Sequence, residues 1–396
     1  SDFHASNMAG TIAASGVDPS ARGMAYNTRI DSYDWEDEIA EMIDRAAYSS
    51  DQLDAKIYIS NHSYGVLAGW SGNRWLGDGS DQNGADHNFG QYSRFTQEQD
   101  AIIYNSPYFL SVWSSGNDGR DNPRPGSRVN GIGDSSVTYD PAIHPLGDGL
   151  YRNGFDTIAA QAIGKNVLTI GAIDDAVTAG ERDPSKAILG GFSSTGPTDD
   201  GRIKPDLVGN GVNVYTTTSS SDTSYGSSTG TSMATPTVTG SAALVIDQYN
   251  RLFNSAMRAS TLKGLLIHSA TDLGNPGPDY KFGWGLADVK KAVDLVIDHH
   301  ADPAQTWIRE DLLTTATGSQ VHTLDWNDST AIRATLCWSD PPGPDTSAHD
   351  SRTPRLVNDL NLKLVAPDGS EYFPFVMPFV GTWSTASMSE NASNGV

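Results

Sequence analysis

The sequence predicts an α/β protein, a parallel sheet with helices on both faces, followed by a smaller all-β domain. Up to about residue 300, short apolar runs alternate with segments of helical periodicity. After that point, short alternating runs are separated by turns rich in Pro and Gly. The chain has 396 residues, and single cores stop growing near ~250–300 residues. One large and one smaller domain therefore follow.

The strands of the first region are predicted from apolar runs that Gly, Asn or Ser bound. These runs are Ala55–Ser60, Phe109–Ser114 and Val167–Ala172. Between them, Trp35–Tyr48 has apolar residues at helical spacing and acidic residues early, as a helix dipole favours. Ser232–Phe253 is small or apolar nearly all round, which is typical of a buried helix. Further helices are predicted at Thr96–Ile103 and Leu286–Ile297.

The pattern changes near Ala301–Gln305. The runs that follow, Val321–Leu324, Ala331–Trp338 and Leu360–Val365, are short and bounded by turn residues. Such spacing is typical of strands in an all-β sandwich or barrel.

The charge balance is strongly acidic, with 26 basic and 48 acidic residues and a net charge of −22. This argues against nucleic acid or an anionic membrane as the main partner. No apolar run approaches the ~18 residues of a membrane span. Cys337 is the single cysteine, so an internal disulfide is excluded. We expect a monomer whose acidity serves solubility, calcium binding or adaptation to salt.

A candidate nucleophile stands where the buried helix begins. Ser232 lies in the segment Gly230–Pro236, Gly-Thr-Ser-Met-Ala-Thr-Pro. A serine at a helix start sits in the positive end of the helix dipole, and its backbone N–H is available to an oxyanion. A serine hydroxyl still needs a base to become a good nucleophile. An inert N-cap serine is the alternative interpretation.

The same string, with Val238, Gly240 and Ala242 after it, closely resembles the nucleophile motif of the subtilase family, the subtilisin-like serine peptidases. His4 begins a segment that ends Ala-Gly-Thr-Ile-Ala-Ala and resembles the histidine segment of that family. The resemblance implies that Ser232 is the nucleophile and His4 the general base. The histidine segment departs from the family at 5–7, where Ala-Ser-Asn replaces the usual Gly-Thr-His.

A third segment, Ser115-Gly116-Asn117, follows a predicted strand. By resemblance, Asn117 donates its side-chain amide to the oxyanion, and Ser115 and Gly116 belong to the substrate-binding residues. A fixed amide stabilises the charge that develops on the carbonyl oxygen. The alternative is a turn asparagine, since Gly-Asn-Asp-Gly is strong turn chemistry.

Ser63, Tyr64 and Gly65 end another predicted strand. In the family this stretch pairs with the substrate backbone and lines the S1 pocket, and the resemblance implies the same role here. Strand addition lets main-chain hydrogen bonds give affinity while pockets give selectivity. Tyr64 as a core aromatic is the alternative.

The resemblance extends to the second domain. Trp338–Pro342 and Leu356–Leu360 resemble the β-domain of one subtilase branch, the oxidatively stable alkaline proteases of bacilli. We expect a peptidase domain over 1–300 that lacks its N-terminal part, and a β-sandwich or jelly-roll domain over 301–396 that lacks its C-terminal part. The aspartate of the family's Asp-His-Ser triad is expected upstream of residue 1. Secretion is also implied.

Calcium is expected as a structural cofactor, again by resemblance. Asp78, Asp81, Asn83 and Asp86 form an oxygen-rich loop that contains glycine but lacks EF-hand spacing. A solvated acidic loop is the alternative.

The predicted function is hydrolysis of peptide bonds in proteins through an acyl-enzyme on Ser232. The rival is a catalytically impaired binding module on the same fold, which the changed residues after His4 favour. Related carboxyl peptidases of the sedolisin type use Glu and Asp where this chain has His4 and Asn117, which excludes them. No His-Glu-x-x-His motif of a metallopeptidase occurs.

Overall fold

The computed structural model describes residues 3–52, 55–77, 86–132, 136–147, 149, 151, 153–303, 308–326 and 331–395. Seven helices are described in these ranges: α1 Phe3–Ala13, α2 Glu38–Arg45, α3 Arg94–Asn105, α4 Thr231–Phe253, α5 Ala259–Ser269, α6 Val289–Ala301 and α7 Phe379–Thr382. The strands described are β1 Ile59–His62, β2 Trp70–Ser71, β3 Arg74–Trp75, β4 Leu110–Ser114, β5 Arg128–Val129, β6 Val137–Thr138, β7 Leu168–Ile173, β8 Val177–Thr178, β9 Glu181–Arg182, β10 Leu207–Asn210, β11 Val214–Thr217, β12 Tyr225–Ser228, β13 Leu364–Val365, β14 Glu371–Val376 and β15 Ser393–Gly395.

The centre of the molecule is a four-stranded sheet in the order β1-β4-β7-β10. All three pairings are parallel, and Ile59 lies opposite Leu110 at one edge. All six residues of β7 are buried, because helices and loops cover the sheet. The predicted α/β class with a parallel sheet is confirmed. The first strand begins later than predicted, since Ile59–His62 replaces Ala55–Ser60.

Helix α4 is the predicted buried helix, and it begins one residue earlier, at Thr231. Its small residues allow close packing on both sides. A Cβ on Gly209 of β10 would lie 2.8 Å from Val238, and a Cβ on Gly240 would lie 3.3 Å from Ile12 of α1. Helix α4 is therefore wedged between the sheet and α1.

A buried ionic cluster ties β7 to β10. Lys204 donates from Nζ to Asp206 Oδ2 at 2.6 Å and to Thr169 Oγ1 at 2.8 Å. Lys263 of α5 reaches Asp206 Oδ1 at 3.0 Å. Burial lowers the pKa of Lys204 to about 7, with Asp206 opposing the shift. Burial works to raise the pKa of Asp206, but the two lysines outweigh it and hold that carboxyl below its usual range.

The C-terminal segment is anchored on the part of the chain that contains the parallel sheet. Lys165 donates to Asp340 Oδ2 at 2.5 Å and to the Arg355 carbonyl oxygen at 3.0 Å. Asn166 and Asp340 exchange two further hydrogen bonds at 2.8 and 2.9 Å. Asp340 is 1% exposed. A buried, fully hydrogen-bonded ion pair therefore fastens this segment to the loop before β7.

The strand predictions for the second region are partly wrong. Among the described residues, Val321–Leu324 and Ala331–Trp338 are irregular, and only Leu364–Val365 of the third run is a strand. The first two runs are mostly exposed, so no packing stabilises an extended ladder there. Strands β13, β14 and β15 form an antiparallel sheet. The complete sandwich stays a prediction. Within the described ranges, no helix is both long and apolar enough to cross a bilayer.

Candidate active site

The loop after β4 and the start of α4 are hydrogen-bonded to each other. The Thr231 backbone N–H donates to Asn117 Oδ1 at 2.9 Å, and the Thr231 hydroxyl lies 3.1 Å from the Gly116 carbonyl oxygen. A backbone N–H requires an acceptor, so this contact fixes which end of the amide carries oxygen. The opposite end, Asn117 Nδ2, is the end that can donate to a substrate carbonyl.

Gly230 lies close to both the predicted nucleophile and the predicted oxyanion donor. A Cβ there would lie 2.9 Å from Ser232 Oγ and 3.7 Å from Asn117 Nδ2. The structure therefore brings Ser232 Oγ and Asn117 Nδ2 close to the same glycine, and a side chain at this position would crowd Ser232 Oγ. Asn117 is exposed and Ser232 is half-buried, so a substrate can reach both. As the second residue of α4, Ser232 also presents a first-turn backbone N–H.

Ser115 and Gly116 fix the position of the Asn117 loop through hydrogen bonds to neighbouring segments. Ser115 is buried, and its hydroxyl donates to the Ser194 carbonyl oxygen at 3.2 Å. Its backbone N–H donates to the Ile170 carbonyl oxygen at 2.9 Å. Gly116 in turn accepts the Ser194 backbone N–H at 3.0 Å. These contacts hold the Asn117 loop against β7 and the 193–195 segment.

His4 lies in the first turn of α1 and is exposed. Its helix packs on α4 through Ile12, as described above. Asn7, one of the departures from the family pattern, is buried and donates to the Thr217 carbonyl oxygen at 3.2 Å. The departure therefore has a structural use, since it ties α1 to β11. The helices that carry His4 and Ser232 lie in direct contact.

Ser63, Tyr64 and Gly65 follow β1, the strand beside β4. Ser63 is buried, and its Oγ accepts a hydrogen bond from Asn61 at 3.0 Å. The Tyr64 hydroxyl donates to Glu38 Oε2 at 2.6 Å. A Cβ on Gly65 would meet only Gln161, at 3.8 Å. Tyr64 is thus held by its polar end, while Gly65 leaves space open beside it.

His62 contacts a predicted substrate-binding residue, Tyr64, and was not singled out from the sequence. Its ring stacks on Trp113 with centroids 4.2 Å apart and planes 5° from parallel. Nδ1 lies 2.9 Å from the Tyr64 hydroxyl, and Nε2 lies 2.7 Å from Ser60 Oγ. Burial lowers the pKa of His62 to about 3, so the ring is neutral at physiological pH. The sequence signal for this contact is the alternation of side chains along β1, which places Ser60 and His62 on the same face of the strand.

Asp118 follows the predicted oxyanion donor, and the charge of its carboxyl depends on pH. Burial raises the pKa of Asp118 to about 7, although a hydrogen bond from Ser194 opposes this. The ordinary value is 3.8, so the fold favours the neutral form. The stability that this form contributes is complete below the ordinary value and is lost as pH rises towards 7.

Between pH 4 and pH 7, we expect the free energy of unfolding of Asp118→Asn to fall less steeply with pH than that of the parent. The difference in slope should be a fraction of the ~1.4 kcal/mol per pH unit that one proton allows. Urea unfolding of both proteins at several pH values measures it. Asp222→Asn, in an exposed hairpin, is the control that should keep the parental slope. A parental slope in Asp118→Asn itself would contradict this assignment.

Only one of the four residues in the predicted calcium loop lies among the residues that the structure describes. Asp78, Asp81 and Asn83 lie outside the described residues. Asp86 is described and buried. Its Oδ2 accepts the Gly69 N–H at 2.6 Å, and its Oδ1 accepts the Asn88 N–H at 3.0 Å. Asp86 therefore stabilises the local backbone, and calcium binding by the four residues stays a prediction.

Comparison with known proteins gives one family and several partial relatives. The model of the subtilase family of peptidases matches residues 1–285. Serine protease AprX of Bacillus subtilis is 32% identical over 149 residues, covering 35% of this chain and 32% of AprX. An extracellular serine protease of Serratia marcescens is 39% identical over 70 residues, covering 18% of this chain and 6% of the relative. The matched part thus spans about a third of AprX and far less of the other relative.

The solved structure of the self-cleaved protease domain of PatA is also similar. It aligns with a TM-score of 0.46 and 19% sequence identity. The alignment covers 74% of this chain and 83% of the PatA chain.

Proposed function

Because the chain belongs to the subtilase family, we propose that it is a serine endopeptidase with Ser232 as nucleophile, His4 as general base and Asn117 as oxyanion donor. The observation that carries the proposal is the placement of Ser232 Oγ and Asn117 Nδ2 around Gly230, at the start of α4. Nucleophilic attack and oxyanion stabilisation both need groups within reach of one carbonyl carbon.

The proposed reaction is acyl transfer. Ser232 Oγ attacks the scissile carbonyl carbon while His4 takes the hydroxyl proton, and the carbonyl oxygen becomes an oxyanion. Asn117 Nδ2 and the Ser232 backbone N–H donate to that oxyanion. His4 then protonates the leaving amine, and water hydrolyses the acyl-enzyme to release the second product.

The substrates of this proposal are extended segments of proteins. Residues 63–65 leave β1 at the edge of the sheet, where a substrate strand can add through main-chain hydrogen bonds. The neutral His62 ring and Glu38 hold Tyr64 so that this edge keeps its shape. We also propose that the protein is monomeric and works outside the cell, as the name of the Serratia relative suggests.

A fluorophosphonate probe tests the proposal, because it labels an activated serine and not every serine. We expect one adduct, mapped to Ser232 by mass spectrometry, and none in Ser232→Ala. Ser227→Ala, which changes an exposed serine in β12, should label like the parent. His4→Ala should slow labelling at least ~100-fold, since general-base catalysis contributes about that much.

Two results would count against the proposal. An adduct on another serine would reject Ser232 as nucleophile. An unlabelled parent that still binds a peptide-backbone inhibitor would favour the impaired binding module.

A further inference from the structure

The hairpin of β11 and β12 runs from Gly211 to Gly230 and ends two residues before Ser232. Its two ends are joined, because the Gly230 backbone N–H donates to the Gly211 carbonyl oxygen at 2.9 Å. Just inside them, the Asn213 backbone N–H donates to Thr229 Oγ1 at 2.9 Å. The base of the hairpin is therefore closed immediately before the proposed nucleophile.

The same hairpin is hydrogen-bonded to the helix that carries the proposed general base. Thr217 Oγ1 donates to the Ser6 carbonyl oxygen at 2.8 Å, and Thr216 Oγ1 donates to the Asn7 carbonyl oxygen at 3.2 Å. In return, Asn7 Nδ2 donates to the Thr217 carbonyl oxygen at 3.2 Å. The two helix residues follow His4 by two and three positions. Strand β11 therefore binds α1 within one turn of His4.

This contact between β11 and α1 is buried and leaves no space for movement. Asn7 and Thr216 are each 1% exposed, and buried polar groups are costly to leave without partners. A Cβ on Gly10 would collide with Thr217 Oγ1 and would lie 2.7 Å from Thr216 Oγ1. A slide of α1 by one residue, about 1.5 Å along its axis, would therefore break the hydrogen bonds and create a clash.

The packing of α1 on α4 does not supply the same alignment. A Cβ on Gly240 of α4 would lie 3.3 Å from Ile12 of α1, so the two helices touch. Apolar contacts of this kind are non-directional, and they hold the helices together without fixing how far α1 has slid or turned. Hydrogen bonds depend on both distance and angle. The bonds at residues 6 and 7 therefore define the position of α1 along its axis.

We propose that Thr217 and Asn7 are positioning residues, which through this hairpin align His4 with Ser232. The inference rests on the proposed function, in which His4 takes the Ser232 proton. Such a transfer needs a donor and an acceptor about 2.6–3.2 Å apart, and a misplacement of about 1 Å can cost about 100-fold in rate. The hairpin meets this need because it binds α1 just after His4 and leads directly into α4 just before Ser232.

The test compares two substitutions at Thr217 in the full chain. Thr217→Val keeps the shape of the side chain without its hydroxyl, and Thr217→Ser keeps the hydroxyl. The rate of fluorophosphonate labelling at Ser232 is measured, with kcat and KM for a peptide ester per folded molecule. We expect Thr217→Val and Asn7→Ala to lower the labelling rate and kcat about 10- to 100-fold while KM changes little, because they displace the base and not the substrate. Thr217→Ser should retain the parental values.

The matched control is the same substitution at the next residue. The Thr218 hydroxyl donates to Ser224 Oγ at 2.7 Å, within the hairpin itself, so Thr218→Val should label like the parent. If Thr217→Val does not fold, Asn7→Ala provides the comparison.

The outcomes separate this inference from the proposed function. A labelled parent with parental kcat in folded Thr217→Val and Asn7→Ala would overturn the inference alone. Equal losses in Thr217→Val and Thr217→Ser would do the same, because the hydroxyl would then not be the cause. An unlabelled parent would reject the proposed function, and the inference with it.

Discussion

Asn117→Ala is expected to lower kcat about 100- to 1000-fold while KM changes little. The amide acts on charge that develops only in the transition state, so its removal costs about 2.7–4 kcal/mol of barrier height. That magnitude is the one established for the oxyanion amide of subtilisin, a member of the same family, and is carried over here. Steady-state kinetics on a peptide ester and on the matching amide measure the effect.

The contact with Thr231 makes a second variant informative. Asn117→Asp keeps the Oδ1 acceptor for the Thr231 N–H but removes the Nδ2 donor. It should therefore be as inactive as Asn117→Ala while retaining more stability. Asn105→Ala, at the exposed end of α3, should leave both kinetic constants unchanged. An effect of Asn117→Ala confined to KM would show that the residue binds ground state and transition state alike.

Asp206→Asn is expected to lower the free energy of unfolding by about 3–5 kcal/mol. Removing one partner of a buried ionic cluster leaves the remaining charge uncompensated. In this chain Lys204 and Lys263 would then confront each other beneath the sheet. Urea unfolding in the Ser232→Ala background measures the loss, because self-digestion is then absent.

The exposed pair of Lys290 and Asp294 is the matched control. Its N–O distance, 2.6 Å, equals that of Lys204 and Asp206, but the pair lies on the surface of α6. Asp294→Asn should therefore cost under ~1 kcal/mol, as exposed ion pairs do. Equal losses in the two variants would mean that burial does not govern the energetics of the cluster.

The strands of the central sheet could be predicted from the sequence, because each buried strand is a short run of mostly apolar residues. Leu168–Ile173 is apolar enough to be recognised without a partner, and the small residues of Thr231–Phe253 indicate a helix that is buried over its first half. The start of β1 was harder to predict, since Ala55, Ile57 and Tyr58 are also apolar. Its irregular conformation depends on contacts such as the bond from Gln52 to the Tyr58 hydroxyl.

The site was predictable where the motif is contiguous and less so where it depends on contacts through space. Ser232 and Asn117 were predicted from their own segments, but the hydrogen bond between Thr231 and Asn117 joins residues far apart in the chain. The stacking of His62 on Trp113 joins two strands in the same way.

The anchor between Lys165 and Asp340 affects how the molecule withstands cleavage of its own backbone. A protein with the proposed peptidase activity is exposed to copies of itself, and irregular exposed stretches such as residues 308–326 are natural places for a cut. A chain cut there would still be held together by the hydrogen bonds from Lys165 and Asn166 to Asp340. Both fragments would therefore migrate together until a denaturant separates them. An intact folded molecule therefore does not require an uncut backbone in this protein.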